Sequence, residues 1–199
     1  MRIWFSFILA AAVAAGQPLS QGDRSRLLSE LHATRKTFLD SITGLSTAQW
    51  KFKPAPDRWS IAECAEHVAL AEDALFKTFR EKVMTSPPVK RNAAEVRKQD
   101  EEILARVSDR SQKAQAPMAL RPTGRWPDAA SVAAHFRESR DRLLDYVRST
   151  QDDLRSHVAP MSPGGPPMDG FQWLLLIAVH TGRHVEQIEE VKASPGYPK

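Results

Sequence analysis

The chain contains one cysteine, Cys64, so it cannot close a disulfide on itself, and no cysteine follows its N-terminal apolar run to accept a lipid. Charge of one sign is lacking as well. Twenty-eight lysines and arginines face 24 aspartates and glutamates, leaving a formal net charge of +4. The basic residues between Lys90 and Arg125 are interleaved with Glu95, Asp100, Glu101, Glu102 and Asp109, the pattern of a solvated helix face rather than of a groove that tracks phosphates. Nucleic acid is therefore not an expected partner. The apolar stretch from Ile3 to Ala15 falls short of the ~20 residues that span a bilayer. It follows Arg2 and ends in small residues before Gln17, which is the build of a secretory signal peptide. The expectation is a signal peptide over residues 1–16 and one domain over 17–199, exported to the periplasm or extracellular space without stable membrane insertion after processing.

The alternation of apolar and polar residues that marks a half-buried strand is missing too, whereas helical periodicity runs through most of the chain. With 42% hydrophobic residues, 199 positions can bury one good core, and the expected fold class is all-α. A first helix is expected over 23–43, with Leu27, Leu31, Phe38 and Ile42 inward and Gly44 ending it. Pro54 and Pro56 forbid regular helix before Trp59. Ser60-Ile-Ala-Glu63 then forms a capping box, in which the serine and glutamate side chains satisfy free amides at a helix start. The second helix should run over 60–84 and bury Ile61, Cys64, Val68, Leu75, Phe79 and Val83, which makes Cys64 a packed thiol rather than a nucleophile.

Pro87 and Pro88 end that helix, residues 93–107 read as helical but weakly anchored, and Pro117, Pro122 and Pro127 mark a long surface excursion. A third core helix is expected over 128–149, burying Val132, Phe136, Leu143 and Val147, and a loop with two glycines follows between Pro160 and Pro167. Asp169 should cap a fourth helix over 170–192. Four long amphipathic helices, with a long connection between the second and third, describe a four-helix bundle whose sites are built from inward side chains.

His180 and His184 lie four residues apart in the fourth helix, so both imidazoles can reach one ion without backbone strain. Core hydrogen bonding explains such a pair equally well until His67, on the second helix, is added. Three histidines leave a fourth position open, as catalytic rather than structural zinc sites do. The ion could lower the pKa of its water or of a substrate thiol. Zinc is the default metal, and nickel, iron, copper and manganese are alternatives. Thr181, Gly182 and Arg183 separate the pair, so the glutamate base of a His-Glu-x-x-His protease is absent. Glu72 falls near the centre of the second helix's apolar arc and is the candidate catalytic carboxylate, with a salt bridge to an inward Arg140 as the structural alternative. Glu63 lies one turn from His67, but the capping box claims its side chain. His32, His135 and His157 lack ligand spacing.

Arg58-Trp-Ser-Ile-Ala-Glu-Cys-Ala-Glu-His67, together with Asp169-Gly-Phe-Gln-Trp173 running into His180-Thr-Gly-Arg-His184-Val-Glu-Gln187-Ile, resembles the DinB/YfiT-like superfamily, in particular its DinB-like domains. The stretches from Asp109 to Pro117 and from Glu190 to Pro198 also look like this group, so the resemblance spans essentially the whole chain after residue 16. It implies a four-helix bundle holding a divalent metal with His67, His180 and His184. It also implies relatives that activate a low-molecular-weight thiol for transfer or isomerisation, and others that are metal-dependent hydrolases. Thiol cofactors are chiefly cytoplasmic, so an exported chain favours hydrolysis or simple metal-dependent binding. The expected function is therefore divalent-metal-dependent hydrolysis of an unidentified small molecule. The alternatives are a metal-dependent thiol S-transferase or isomerase and a nonenzymatic metal- or ligand-binding bundle, with a homodimer through exposed helix faces as a further possibility.

Overall fold

Every long helix begins on a side chain that accepts an otherwise free backbone amide. Ser20 caps α1 (Gln21–Ile42), Ser60 and Glu63 form the capping box of α3 (Ile61–Thr78), and Asn92 caps α4 (Ala93–Ser108). Asp128 with Ser131 starts α5 (Ala129–Ser149), and Asp169 with Gln172 starts α6 (Gly170–Lys192). A short helix, α2 (Thr47–Lys51), lies between α1 and α3 on its own box of Ser46 and Gln49. These elements come from a computed structural model that describes residues 17–111 and 115–199. The signal peptide expected over 1–16 lies outside the described residues.

Four helices make the bundle. α1 packs on α5 and α6, and α3 packs on the same two, so α1 and α3 face each other across the ring. Leu27, Leu31, Phe38 and Ile42 of α1 are all buried, as are Val132, Phe136, Leu143 and Val147 of α5. The core divides into two clusters. One gathers Leu27, Leu31, Leu143, Phe171 and Trp173, and the other Phe38, Ile61, Val68, Phe136 and Ile188. Full burial of side chains this size contributes roughly 1.5–3 kcal/mol each relative to exposure. Among the described residues, no helix is long and apolar enough to cross a membrane.

Several local expectations change. α3 does not run as regular helix to residue 84; it passes into a π-helical turn, Phe79–Val83, which Met84 closes by donating to the Phe79 carbonyl. Leu75, expected in the buried stripe, is only partly buried. The loop after α5 holds a two-stranded antiparallel pair, β1 (Val158–Pro160) with β2 (Pro167–Asp169), too short to leave an alternating pattern. α4 is anchored more firmly than its polar composition suggests. Val96, Asp100 and Ile103 are buried, and Gln172 of α6 donates to Asp100 at 2.8 Å. Arg155 then bonds Asp23, Asp100 and Asp169, joining the starts of α1 and α6 to the middle of α4. Where α6 begins, a Cβ on Gly170 would meet the Leu154 carbonyl at 3.0 Å and Met84 Sδ at 3.1 Å, so a side chain there would force both to give by a few tenths of an ångström.

Candidate metal centre

Packing of α3 against α6 brings His67 onto the side of α6 that carries His180 and His184. One ligand nitrogen from each of the three imidazoles lies within 4.8 Å of the other two. The Nε2 atoms of His67 and His184 each stand 3.2 Å from His180 Nε2. An ion bound at the usual ~2.0–2.1 Å by two tetrahedral ligands sets their nitrogens ~3.3–3.4 Å apart, close to what is seen.

The outer nitrogens decide what the inner ones can do. His67 Nδ1 donates to the Leu120 carbonyl at 2.8 Å, and His184 Nδ1 donates to Gln187 Oε1 at 2.8 Å. A neutral imidazole carries one proton, so both rings present a bare Nε2 lone pair to His180. His180 Nε2 can answer one of them with a hydrogen at most. The second lone pair has no proton to accept at that point, and protonating a ring is opposed. Burial, followed by the neighbouring His67 and Arg183 charges, pushes the His180 pKa down to about 3. Burial likewise lowers His67 and, with the charges of His180 and His67, takes His184 well below the ordinary histidine value. Three neutral rings with converging lone pairs are a donor set for a cation.

His67 and His184 are nearly covered, at 4% and 8% exposure, whereas His180 is only half-buried. Trp59, the residue before the α3 cap, closes one flank with its ring 5.0 Å from that of His67 and stacked at 6.3 Å on that of His184. Beyond His184, Arg110 grips Glu190 through two bonds of 2.7 Å and donates to the Arg183 carbonyl, holding the chain after α4 against α6.

The structure thus brings His67, His180 and His184 together and sends Glu72 elsewhere. Both Glu72 oxygens accept from Arg140, with one bond at 2.8 Å, and neither side chain is exposed by more than 1%. Arg140 is held in turn by the Leu31 carbonyl and the hydroxyls of Thr34 and Thr181. The structural alternative for Glu72 is the arrangement present, and among the described residues no carboxylate joins the three imidazoles. Cys64 is fully buried, and burial, reinforced by Glu63, pushes its thiol up to about 12. Glu63 stays in its cap and also pairs with Lys53. His135 pairs with Asp73, His157 with the Ser86 carbonyl and His32 with Arg148. Of the two ring orienters, Leu120 escapes a spacing argument. A backbone carbonyl in a proline-rich loop leaves no signal, although Gln187, one turn after His184, has a position that could have revealed it.

A family model described as the DinB superfamily matches residues 30–188. The protein YuaE of Bacillus subtilis (strain 168) is 24% identical over 165 residues, covering 83% of this chain and 96% of its own. Among solved structures, YfiT from Bacillus subtilis superposes with a TM-score of 0.61 at 12% identity, over 94% of this chain and 97% of that one. YfiT is described as a probable metal-dependent hydrolase with an unusual four-helix bundle topology, and at this identity the likeness shows the fold.

Proposed function

The chain belongs to the DinB superfamily, and from that premise we propose that it is a divalent-metal-dependent hydrolase of a small molecule, with His67, His180 and His184 as metal ligands. One observation carries the reading: two rings whose outer nitrogens are committed to acceptors turn bare lone pairs on a third, half-buried imidazole. Three protein nitrogens match the ligand count of catalytic zinc sites rather than closed structural ones. A bound divalent ion would supply a Lewis acid that polarises substrate and lowers the pKa of water toward neutrality.

The chain's own residues do the positioning. The Leu120 carbonyl and Gln187 fix ring orientation and raise ligand basicity, Trp59 keeps water from one flank, and half-buried His180 marks the approachable side. Zinc is the default, and imidazole donors also suit nickel, copper and iron. The same proposal places the protein outside the cytoplasm on the strength of residues 1–16, and a mature N-terminus at Met1 would count against it.

The test is elemental analysis of untagged protein reconstituted with zinc, beside His67→Ala and His184→Ala. Stoichiometric metal in the wild type and its loss in both variants is the expected result, and a metal-free wild type sinks the reading. Esters, amides and thiol acceptors then separate hydrolysis from thiol transfer, and inactivity on all of them favours a binding module.

A further inference from the structure

Glu66 precedes His67 on α3 and is 3% exposed, yet among the described residues no cation pairs with it. Its carboxylate is instead filled by the backbone of the loop between α4 and α5. Oε1 accepts from the Thr123 amide at 2.8 Å and from its hydroxyl at 3.2 Å, while Oε2 accepts from the amides of Gly124 at 2.8 Å and Arg125 at 3.2 Å. Three consecutive amides can converge on one carboxylate because Gly124 takes φ +79°, which turns the chain into an anion-holding concavity.

That same loop supplies the carbonyl that orients His67. Leu120 ends a 3₁₀ turn, Met118–Leu120, three residues before Thr123. Apolar packing holds the segment at its far end only, where Trp126 is partly buried against the Phe38–Phe136 cluster; residues 118–120 themselves are not buried, and Met118 is 83% exposed. Pro117 and Pro122 stiffen the segment without docking it. What fastens it to α3 at this point is the four-bond grip of Glu66, with the His67–Leu120 bond beside it.

We propose that Glu66 is a positioning residue for the metal centre: by clamping the 123–125 amides it holds the Leu120 carbonyl against His67 Nδ1, and so keeps the His67 Nε2 lone pair turned toward His180 and His184. The carboxylate touches neither the ring nor the ligand position. It acts through the loop. The consequence for metal affinity rests on the reading of the three histidines as ligands, whereas the effect on the ring does not.

The experiment uses Glu66→Gln, which is isosteric but replaces one acceptor oxygen with a donor that opposes the loop amides. The first readout needs no metal: two-bond ¹H–¹⁵N correlation spectra of the metal-free chain, at a pH where the imidazoles are neutral, report which His67 nitrogen carries the proton. Wild type should show the Nδ1–H tautomer, and Glu66→Gln a mixture or the Nε2–H form. The second readout is zinc affinity by competition titration, expected to weaken by the ~10–100-fold that follows loss of an outer-shell partner. An unchanged His67 tautomer in Glu66→Gln overturns the proposal whatever the zinc affinity. If that variant does not fold, Gly124→Ala takes its place under the same criterion; it strains the concavity while its Cβ meets nothing within 4 Å. Should wild type bind no zinc, the metal reading fails while the tautomer still decides the role of Glu66.

Discussion

Two polar clusters lie side by side in the bundle, touching consecutive residues of α6, and they solve burial in opposite ways. The first joins Glu72, Arg140, Thr181 and Thr34 to the Leu31 carbonyl, and every donor of the guanidinium in that list finds an acceptor. The second begins one residue earlier, at His180, and its three rings offer more lone pairs than protons. Buried polar groups must be satisfied, so the first cluster is complete as it stands and the second calls for a partner from outside the chain. Protons available against lone pairs offered, rather than burial or charge, separate the complete cluster from the incomplete one.

The comparison is open to breakage from either side. Arg140→Met leaves Glu72 buried without its cation, and the expected loss is ~3–5 kcal/mol in denaturant unfolding, with zinc affinity retained in the folded fraction. The Glu72→Leu/Arg140→Met double variant should recover most of that loss. His184→Ala should do the reverse: zinc affinity falls by more than ~100-fold, which is ~2.7 kcal/mol, while the metal-free unfolding midpoint barely moves. Comparable losses of stability in both variants would erase the distinction.

Acid provides a graded test. Above the ordinary histidine pKa, imidazoles are neutral in folded and unfolded chains alike. Below it the unfolded chain takes up a proton that folded His180 refuses until about pH 3, so stability of the metal-free protein should fall as pH drops through that window. The slope for such a group is ~1.4 kcal/mol per pH unit, and the lowered values of His67 and His184 act in the same direction. Urea midpoints that stay level from neutrality to mild acid would contradict three rings held neutral by the fold. The smallest effect belongs to Cys64. With its thiol raised to about 12 it should resist a disulfide reagent until unfolding, and Cys64→Ala should cost ~1 kcal/mol while leaving zinc binding unchanged.

The three-histidine cluster is legible in the sequence because helices repeat: a spacing of four places His180 and His184 on one face, and a capping box fixes the start of the helix that carries His67. The same counting finds Glu72 at the centre of its arc and Arg140 as its partner, though not which of its two readings holds. What supports the rings is hidden. Leu120 contributes a backbone carbonyl from a loop without period, and Glu66 finds its partners in amides that any sequence possesses. Gly124 between Pro122 and Pro127 is the one local sign of a special backbone there. The helix α2 carried a usable mark, Ser46-Thr-Ala-Gln49, which is itself a capping box. The anchoring of α4 rests on Gln172 and Arg155 reaching Asp100 from remote positions, which no window along the chain can show.

His67 and His180 are 113 positions apart in the chain, and their nitrogens meet at 3.2 Å. A metal ion shared by those rings would join α3 to α6 and close a long loop of chain, a reversible substitute for the covalent cross-link that a lone cysteine cannot make. Folded chain would then be favoured in proportion to how far free metal exceeds its dissociation constant, by ~4 kcal/mol at a thousandfold excess. On that footing the persistence of this protein would follow the metal supply of its surroundings.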